Sequence, residues 1–381
     1  MELIVLLLLV AIFFLAEKWV YNRYWHKNLK YECRFSRDEV YEGDEIELIE
    51  TVTNAKVLPL TWAKAEINAS RWLEFAGSQS AVTGDSRFVP SFFVLKSNHR
   101  VTRRWKVRCL RRGNYTIDRI VLITTDLFGQ QAFSLPVDIN IHLTVLPKPR
   151  DTEECLFSQN GLSGEIVVPR RLFTDPFFVN GVREYTPYDS ANRIHWAATA
   201  KNDRIMVRSN DSTSDQTVTV LMNMQSRSDE GPFITAAEDL EHGITAAATV
   251  LEQTTSIGIS TRLVANGGQE GDAPLFTGSG AGEEYALELL RVLAGMHITK
   301  SENFVTFSEQ VMSRDRTSDL IIITPYLDDD LIAFARRTQD SGVFVKLLLT
   351  HTMDADLIPD DLPAAFFLLG EDAEAFKEGI A

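Results

Sequence analysis

One segment of this 381-residue chain, GVREYTPYDSANRIHWAATAKNDRIMVR, gathers cations, carboxylates and aromatic rings within a short distance. It is too polar for a core strand and too aromatic for a solvated linker. Side chains of these types can pair with each other, recognise a charged partner or transfer protons. The candidate site residues of this signature segment are Arg183, Glu184, Tyr185, Asp189, Arg193, Trp196 and Arg208.

Two of these possibilities use the arginines of the segment. Arg183 and Arg193 can pair with Glu184 and Asp189 in a partly buried ion network, which would specify the geometry of a loop more than it stabilises it. The same arginines can instead bind a carboxylate or phosphate of a partner, with flat contact area supplied by the aromatic side chains. The two roles are compatible, because a rigid loop can also present its surface.

A third possibility is acid–base catalysis, with Glu184 or Asp189 as a general base beside His195. It is the weakest of the three, because no nucleophile, set of oxyanion donors or metal can be assigned with it. A lone histidine in the context RIHW is more often a surface or packing residue than a catalyst.

The signature segment resembles that of a bacterial and archaeal family known as "domain of unknown function 58". The shared pattern is G-x-R-E-Y-x-P-x-D, then R-x-I-x-W, then a strand ending in V-R. A second similarity is RRGNYTIDRIVLITTDLFG, an arginine–glycine strand followed by a turn with Asp126, Phe128 and Gly129. The resemblance implies a membrane-anchored protein with a von Willebrand factor A-like C-terminal part. It also implies a MoxR-type AAA+ ATPase as partner, often with a transglutaminase-like membrane protein.

The same resemblance points to a position where von Willebrand factor A domains often hold a divalent metal through D-x-S-x-S. This chain reads LMNMQSRS there, with Asn223, Gln225 and Arg227 in place of Asp, Ser and Ser. A hard cation prefers carboxylate and hydroxyl oxygens, and a guanidinium repels it. We therefore predict no metal at this position and no cofactor elsewhere.

Charge and cysteine content narrow the class of protein. The net charge of −15 and the pI near 5.0 argue against nucleic-acid binding, which depends on clustered cations. Cys33, Cys109 and Cys155 are far apart and odd in number, so they predict buried thiols in a reducing compartment and not a disulfide framework.

Residues 1–30 predict a membrane anchor. Leu3 to Ala16 are all apolar, and interfacial rings and cations continue the segment, so that residues 3–25 can reach across a bilayer. No cleavage site typical of a signal peptide follows. The cations after the apolar run place the bulk of the chain in the cytoplasm, on the inner side of a single-pass cell-membrane anchor. An amphipathic or core helix is the alternative.

The remaining chain predicts two folded domains. Residues 31–146 contain short strands with turn residues between them, which indicates an immunoglobulin-like β-sandwich. Residues 147–214 hold the linker LPKPR and the signature segment. Residues 215–381 alternate apolar strands with amphipathic helices, which predicts a doubly wound α/β domain with an acidic C-terminal end. The family resemblance implies that this domain is von Willebrand factor A-like.

A basic strand in the sandwich is a candidate membrane-surface contact. Arg104, Lys106 and Arg108 share one face of a strand at period two. They can form a solvated outer face, which is the usual fate of a charge run, or they can contact anionic lipid headgroups.

These observations predict a non-enzymatic, membrane-anchored binding or adaptor protein. The family resemblance implies that it works with a MoxR-type ATPase in the assembly or maturation of other proteins. The alternative is an enzyme or small-ligand binder that uses the loop of Arg183, Glu184, Tyr185 and Asp189. A third alternative, an outward-facing cell-envelope protein, requires the reversed membrane topology.

Overall fold

The structure is a computed structural model that describes residues 2–158, 181–184, 196–202, 204–209, 217–231, 233–314, 319–352 and 357–380. The chain divides into two compact units. The first is Met1–Lys148 with Leu293–Gly295, and the second is Pro149–Val292 with Met296–Ala381. The boundary after Lys148 falls inside the LPKPR segment.

The first unit begins with one long helix and continues in strands. In chain order its elements are α1 (Glu2–Tyr24), β1 (Leu29–Phe35), β2 (Glu39–Tyr41), β3 (Glu45–Asn54), β4 (Leu60–Ser70), β5 (Leu73–Phe75), β6 (Ala81–Thr83), β7 (Ser86–Leu95), β8 (His99–Cys109), β9 (Gly113–Thr125) and β10 (Ala132–Leu146).

The helix α1 confirms the predicted apolar N-terminal element. Its segment Leu3–Tyr24 is long and apolar enough to span a membrane by length and composition. The side chains from Leu3 to Leu15 are exposed, as the wall of a lipid-facing helix would be. The C-terminal end of the helix is different, because Tyr21 and Trp25 are buried in the core of the strands that follow.

The strands form a β-sandwich, as predicted. One sheet has the order β1-β3-β8-β5 and the other has the order β2-β10-β9-β4-β7-β6. A single apolar core joins the two sheets, with Leu48 and Val107 from the first and Ile67, Val89 and Ile120 from the second. Along the long strands β3, β4 and β7, alternating side chains face this core, as the period-two pattern requires.

A carboxylate occupies one core position of this sandwich. Along β3 the buried face contains Ile46, Leu48, Glu50 and Val52, and Glu50 has no exposed surface. The side chain of Glu50 is surrounded by donors from three other strands. They are the hydroxyl of Tyr31 at 2.8 Å, the hydroxyl of Ser91 at 2.5 Å and the indole N–H of Trp105 at 3.2 Å. Burial raises the pKa of Glu50 despite these hydrogen bonds.

Beyond Lys148, strands alternate with helices. In chain order the elements are α2 (Thr152–Cys155), β11 (Leu156–Ser158), β12 (Gly181–Glu184), α3 (Trp196–Asn202), β13 (Met206–Ser209), β14 (Thr217–Met222), α4 (Ala237–Ser256), β15 (Ser260–Gly268), β16 (Pro274–Phe276), α5 (Glu283–Gly295), α6 (Phe304–Arg314), β17 (Asp319–Thr324), α7 (Asp329–Asp340), β18 (Phe344–Leu349), β19 (Ala364–Phe367) and α8 (Glu371–Ile380).

The main sheet of the second unit has the order β11-β19-β18-β17-β14-β15-β16. Its inner pairs, from β19 to β15, are parallel, whereas β11 and β16 join the two edges in the antiparallel direction. The inner strands β14, β17 and β18 are buried almost throughout, which explains their continuous apolar sequences.

Helices cover both faces of this sheet. Leu221 lies in one apolar cluster with Phe304 of α6 and Phe334 of α7. The next residue of the strand, Met222, points to the opposite face because side chains alternate. There it meets α4 at Gly243, where an added Cβ would lie 3.3 Å from Met222 Cε. Because these strands are parallel and adjacent, the loops that follow β14, β15 and β17 meet at the carboxyl ends of the strands, which we call the carboxyl edge of the sheet.

Candidate functional site

The signature segment forms a small ribbon with a helix beside it. Strands β12 and β13 pair antiparallel, with Arg183 opposite Val207 and Arg208 opposite Val182. The two arginines thus occupy neighbouring positions of the ribbon. The helix α3 is tied to β13 because Thr199 Oγ1 accepts the backbone N–H of Met206 at 3.0 Å.

The structure locates some of the predicted signature residues. Trp196 begins α3 and is 72% exposed, which leaves its ring available for contact. Arg183, Glu184 and Arg208 lie in the paired strands. The other candidates, Tyr185, Asp189 and Arg193, and the catalytic alternative His195, lie outside the described residues, so the ion network and the acid–base pair stay predictions.

The positions predicted to have lost a metal site lie at the carboxyl edge, directly after β14. Asn223 is buried and donates from Nδ2 to Thr324 Oγ1 at 3.1 Å, while its Oδ1 accepts the N–H of Gln225 at 2.9 Å. Gln225 Oε1 accepts the N–H of Phe304 at 2.6 Å. Arg227 is exposed. Both amide oxygens therefore already accept hydrogen bonds that a metal would have to replace.

Magnesium or manganese is expected to leave the thermal unfolding of the protein unchanged. A cation at Asn223 and Gln225 would have to displace buried hydrogen bonds, and neither of these residues supplies a carboxylate to bind it. In the part of the chain that the structure describes, no group of three or more His, Cys, Asp and Glu residues could hold a metal ion. The measurement compares unfolding midpoints in millimolar divalent salt with those in sodium chloride of equal ionic strength. A saturable rise of several degrees would contradict the prediction.

A buried glutamate organises the loop that follows these positions, whose described residues 226–231 and 233–235 we name the carboxyl-edge loop. Glu230 accepts the backbone N–H groups of Ser226 at 2.9 Å and Thr235 at 2.6 Å. It also accepts hydrogen bonds from the hydroxyl groups of Ser226 and Thr235, at 2.5 Å and 3.0 Å. Its side chain has no exposed surface, and Lys300 Nζ lies 3.6 Å from the carboxylate. The loop is thus closed on an internal carboxylate.

The pKa of Glu230 reflects these contacts. Burial alone would raise it, but the hydrogen bonds from Ser226 and Thr235 outweigh burial and bring the pKa below its usual range. Lys300 also donates to the backbone carbonyl of Glu230 at 2.9 Å. The carboxylate is therefore held in its charged form, with a buried ammonium beside it.

The carboxyl-edge loop presents large side chains to solvent. Phe233 is 82% exposed, and Arg227 and Asp229 are exposed on the same loop. Sequence reasoning singled out Arg227 only as a lost metal ligand and missed both Glu230 and Phe233. The available signal was their position after the first parallel strand, where open α/β sheets bind ligands.

The basic strand predicted as a membrane contact lies on β8. Arg104, Lys106 and Arg108 are all exposed. The neighbouring strand β3 places Glu45 opposite Arg108 and Glu47 opposite Lys106, and Arg104 lies 3.3 Å from Glu47. The facing glutamates offset much of the positive charge that anionic lipid would require. The register therefore favours the solvated outer face over headgroup contact.

Comparison with solved structures finds β-rich proteins that cover about a third of the chain. A non-cellulosomal cohesin of Archaeoglobus fulgidus shares 16% identity, covers 31% of this chain and 91% of its own, and has a TM-score of 0.22. The CARDB domain of a Pyrococcus furiosus protein shares 11%, with 30% and 94% covered and a TM-score of 0.19. Salmonella alpha-2-macroglobulin shares 23%, with 30% and 7% covered and a TM-score of 0.20. No curated protein matches the chain.

A family profile matches residues 181–364. The match begins at the first residue of the signature segment and continues through the ribbon, the carboxyl-edge loop and the parallel strands up to the start of β19. This confirms the resemblance drawn from the signature residues: residues 181–364 match the family described as "Protein of unknown function DUF58".

Proposed function

We propose that this protein is a membrane-anchored binding or adaptor protein without catalytic activity of its own. The observation that carries the proposal is the carboxyl-edge loop. A loop closed on the buried Glu230 holds a phenylalanine, Phe233, that is 82% exposed. Large apolar side chains in fixed, solvent-facing positions are typical anchors of protein–protein interfaces.

The physical advantage of such a loop is preorganisation. Association costs free energy when loops and side chains must be ordered, and a loop already fixed by internal hydrogen bonds avoids part of that cost. Phe233 supplies apolar area, and the exposed Arg227 and Asp229, both just before Glu230 in the sequence, supply charge of either sign. Trp196, 72% exposed at the start of α3, adds a second aromatic contact of the same kind.

The anchor in this proposal is α1, placed in the cell membrane with the remaining chain in the cytoplasm. Support for a retained anchor comes from Tyr21 and Trp25, which are buried in the sandwich core and would be lost if the segment were removed. The partner that the family resemblance suggests is a MoxR-type AAA+ ATPase, often accompanied by a transglutaminase-like membrane protein. The von Willebrand factor A-like architecture of the second unit is part of the same proposal, and ATP would be hydrolysed by the partner.

Phe233→Ala is expected to reduce recovery of an AAA+ ATPase with the detergent-solubilised, affinity-purified full-length protein by about 10-fold or more, as loss of an aromatic anchor typically does. Trp196→Ala and Arg183→Ala test the signature ribbon in the same way. The readouts are the co-purified proteins identified by mass spectrometry and the ATPase activity of the eluate.

The matched control is Ile257→Ala. Ile257 is also a large exposed side chain, at 52%, but it precedes β15 and thus lies at the amino edge of the sheet. It should leave the co-purified set unchanged. Identical sets for the wild type, Phe233→Ala, Trp196→Ala and Arg183→Ala would remove both surfaces from the binding role, and an eluate without any AAA+ ATPase would remove this partner.

A further inference from the structure

The turn between β9 and β10 of the sandwich, residues 126–129, packs along the apolar helix α1. Glu17 Oε1 accepts the backbone N–H of Leu127 at 2.9 Å. The ring of Phe128 lies 4.8 Å from the ring of Phe14, centroid to centroid. The β9–β10 turn therefore reaches past the charged Glu17 to a residue inside the apolar run of α1.

The depth of this contact follows from helix geometry. An α-helix rises 1.5 Å per residue, so Phe14 lies about 4–5 Å from Glu17 towards the N-terminus. Phe128 also lies 6.3 Å from Phe13, one residue deeper in the same run. If α1 spans a bilayer, its apolar run fills the hydrocarbon region, and Phe128 stands at the depth where that region begins.

The β9–β10 turn is rigid and apolar at its tip. Asp126 Oδ1 accepts the N–H of Gln130 at 2.6 Å, and the N–H of Gly129 donates to the carbonyl of Asp126 at 3.1 Å. Gly129 has φ +70°, a conformation that glycine adopts without strain. Leu127 and Phe128 remain 43% and 45% exposed even with α1 beside them. Two large hydrophobic side chains are thus held away from the sandwich core.

The sandwich cannot slide along α1 to remove this turn from the bilayer. Tyr21 and Trp25, at the end of the helix, are buried in the sandwich core. The hydroxyl of Tyr21 donates to the carbonyl of Pro59 at 2.9 Å, and the ring of Trp25 stacks on Phe133 at 5.4 Å. The position of the helix in the membrane therefore fixes the depth of the β9–β10 turn.

We propose that the β9–β10 turn inserts Leu127 and Phe128 into the acyl–headgroup boundary of the membrane, as a second lipid contact beside α1. This inference rests on the membrane anchoring in the proposed function. Its consequence is that the sandwich is held at the bilayer surface in one orientation and does not hang from a flexible tether. The ligand is the lipid bilayer itself, recognised through exposed apolar area next to a spanning helix.

The test uses the full-length protein with Phe128→Cys, labelled with an environment-sensitive NBD fluorophore and reconstituted in phosphatidylcholine vesicles. Nitroxide-bearing phosphatidylcholine, with the spin label near the top of the acyl chain, is the quencher. The native thiols compete little for the label, because burial raises the pKa of Cys109 to about 11 and of Cys33 to about 12, and Cys155 is buried. Leu127→Cys provides a second reporter in the same turn.

Two matched positions calibrate the result. Leu9→Cys reports α1 itself, and Val82→Cys reports an exposed apolar side chain on β6. The strand β6 pairs with the start of β7. The other end of β7 pairs with Leu60, next to the residue that Tyr21 contacts. Since interfacial apolar groups reach about 5–10 Å into the boundary, labels at residues 127 and 128 should be quenched roughly threefold more than at Val82.

The pattern of quenching distinguishes failure of the inserted turn from failure of the membrane anchor. Strong quenching at Leu9 with quenching at Phe128 and Leu127 no greater than at Val82 would overturn the inserted turn and leave the membrane anchor standing. Absence of quenching at Leu9 would overturn the anchor, and the inserted turn with it.

Discussion

Glu50→Ala is expected to destabilise the first unit by about 3–5 kcal/mol, the cost typical of removing one member of a buried charged network. The substitution leaves the hydroxyls of Tyr31 and Ser91 and the indole N–H of Trp105 without their buried acceptor. It also leaves Arg103, whose guanidinium donates to Ser91 at 3.0 Å, beside a cavity in place of a carboxylate.

Tryptophan fluorescence can follow this change in the full-length protein during denaturant unfolding in detergent. Five of the six tryptophans belong to the first unit, Trp19, Trp25, Trp62, Trp72 and Trp105. Glu47→Ala is the matched control, since Glu47 lies on the same strand but is 41% exposed and pairs with Arg104 at the surface. It should cost less than about 1 kcal/mol. Equal losses for the two variants would contradict a structural role for the buried network.

The pH dependence gives a second readout of the same variant. Burial raises the pKa of Glu50 in the folded protein above its usual value in an unfolded chain. Between these two pKa values the folded state binds more protons than the unfolded state, so the stabilising contribution of Glu50 decreases as the pH rises through the folded pKa. The stability difference between wild type and Glu50→Ala should therefore be largest in acid and smaller at higher pH. A difference that grows with pH would show that Glu50 is held as a stabilised anion.

Much of the architecture is visible in the sequence because it depends on local patterns. The helix α1 can be recognised from the apolar composition of its own sequence. The parallel strands β14, β17 and β18 can be recognised as continuous apolar segments between amphipathic helices. The alternation of side chains along a strand predicted that Arg104, Lys106 and Arg108 share one face, and all three are exposed. The sandwich and the apolar helix were predictable for this reason.

The contacts that decide function depend on strand order, which local patterns do not contain. The alternation of side chains along β3 puts Glu50 on the core face. Its partners Tyr31, Ser91 and Trp105, however, are 19, 41 and 55 residues away in the sequence. The glutamates opposite the basic strand likewise come from a register that only the folded sheet defines. The sequence alone therefore shows neither the donors around Glu50 nor the glutamates that face the basic strand.

The carboxyl-edge loop was missed for the same reason. Its sequence, SRSDEGPFIT, has the polar and glycine–proline composition of an ordinary surface turn. Its order comes from the buried Glu230, whose contacts include Lys300, 70 residues later in the chain. Phe233 is an exposed apolar residue of no special interest until the loop around it is known to be fixed at the carboxyl edge.

Glu230→Ala is expected to open the carboxyl-edge loop and destabilise it by about 3–5 kcal/mol. The substitution removes the acceptor of four hydrogen bonds. It also leaves the nearly buried ammonium of Lys300 without the carboxylate beside it. In hydrogen-exchange mass spectrometry of the full-length protein, the hydrogen-bonded amides of Ser226, Thr235 and Ala236 should exchange about 100-fold faster or more, as that free energy implies. Asp229→Ala, the neighbouring exposed carboxylate, is the control and should leave their protection unchanged.

The pH dependence should be opposite to that of Glu50. Although burial acts to raise the pKa of Glu230, the hydrogen bonds from Ser226 and Thr235 hold it below its usual range. A carboxylate with a lowered folded pKa contributes stability above its unfolded pKa and loses it as the pH falls through the folded pKa. The difference in protection between wild type and Glu230→Ala should thus be largest near neutral pH and decrease in acid. Comparing the two proteins at each pH cancels the intrinsic pH dependence of exchange. If the difference instead increased in acid, Glu230 would be bound as a neutral acid, and the charged clamp that holds Phe233 in place would be ruled out.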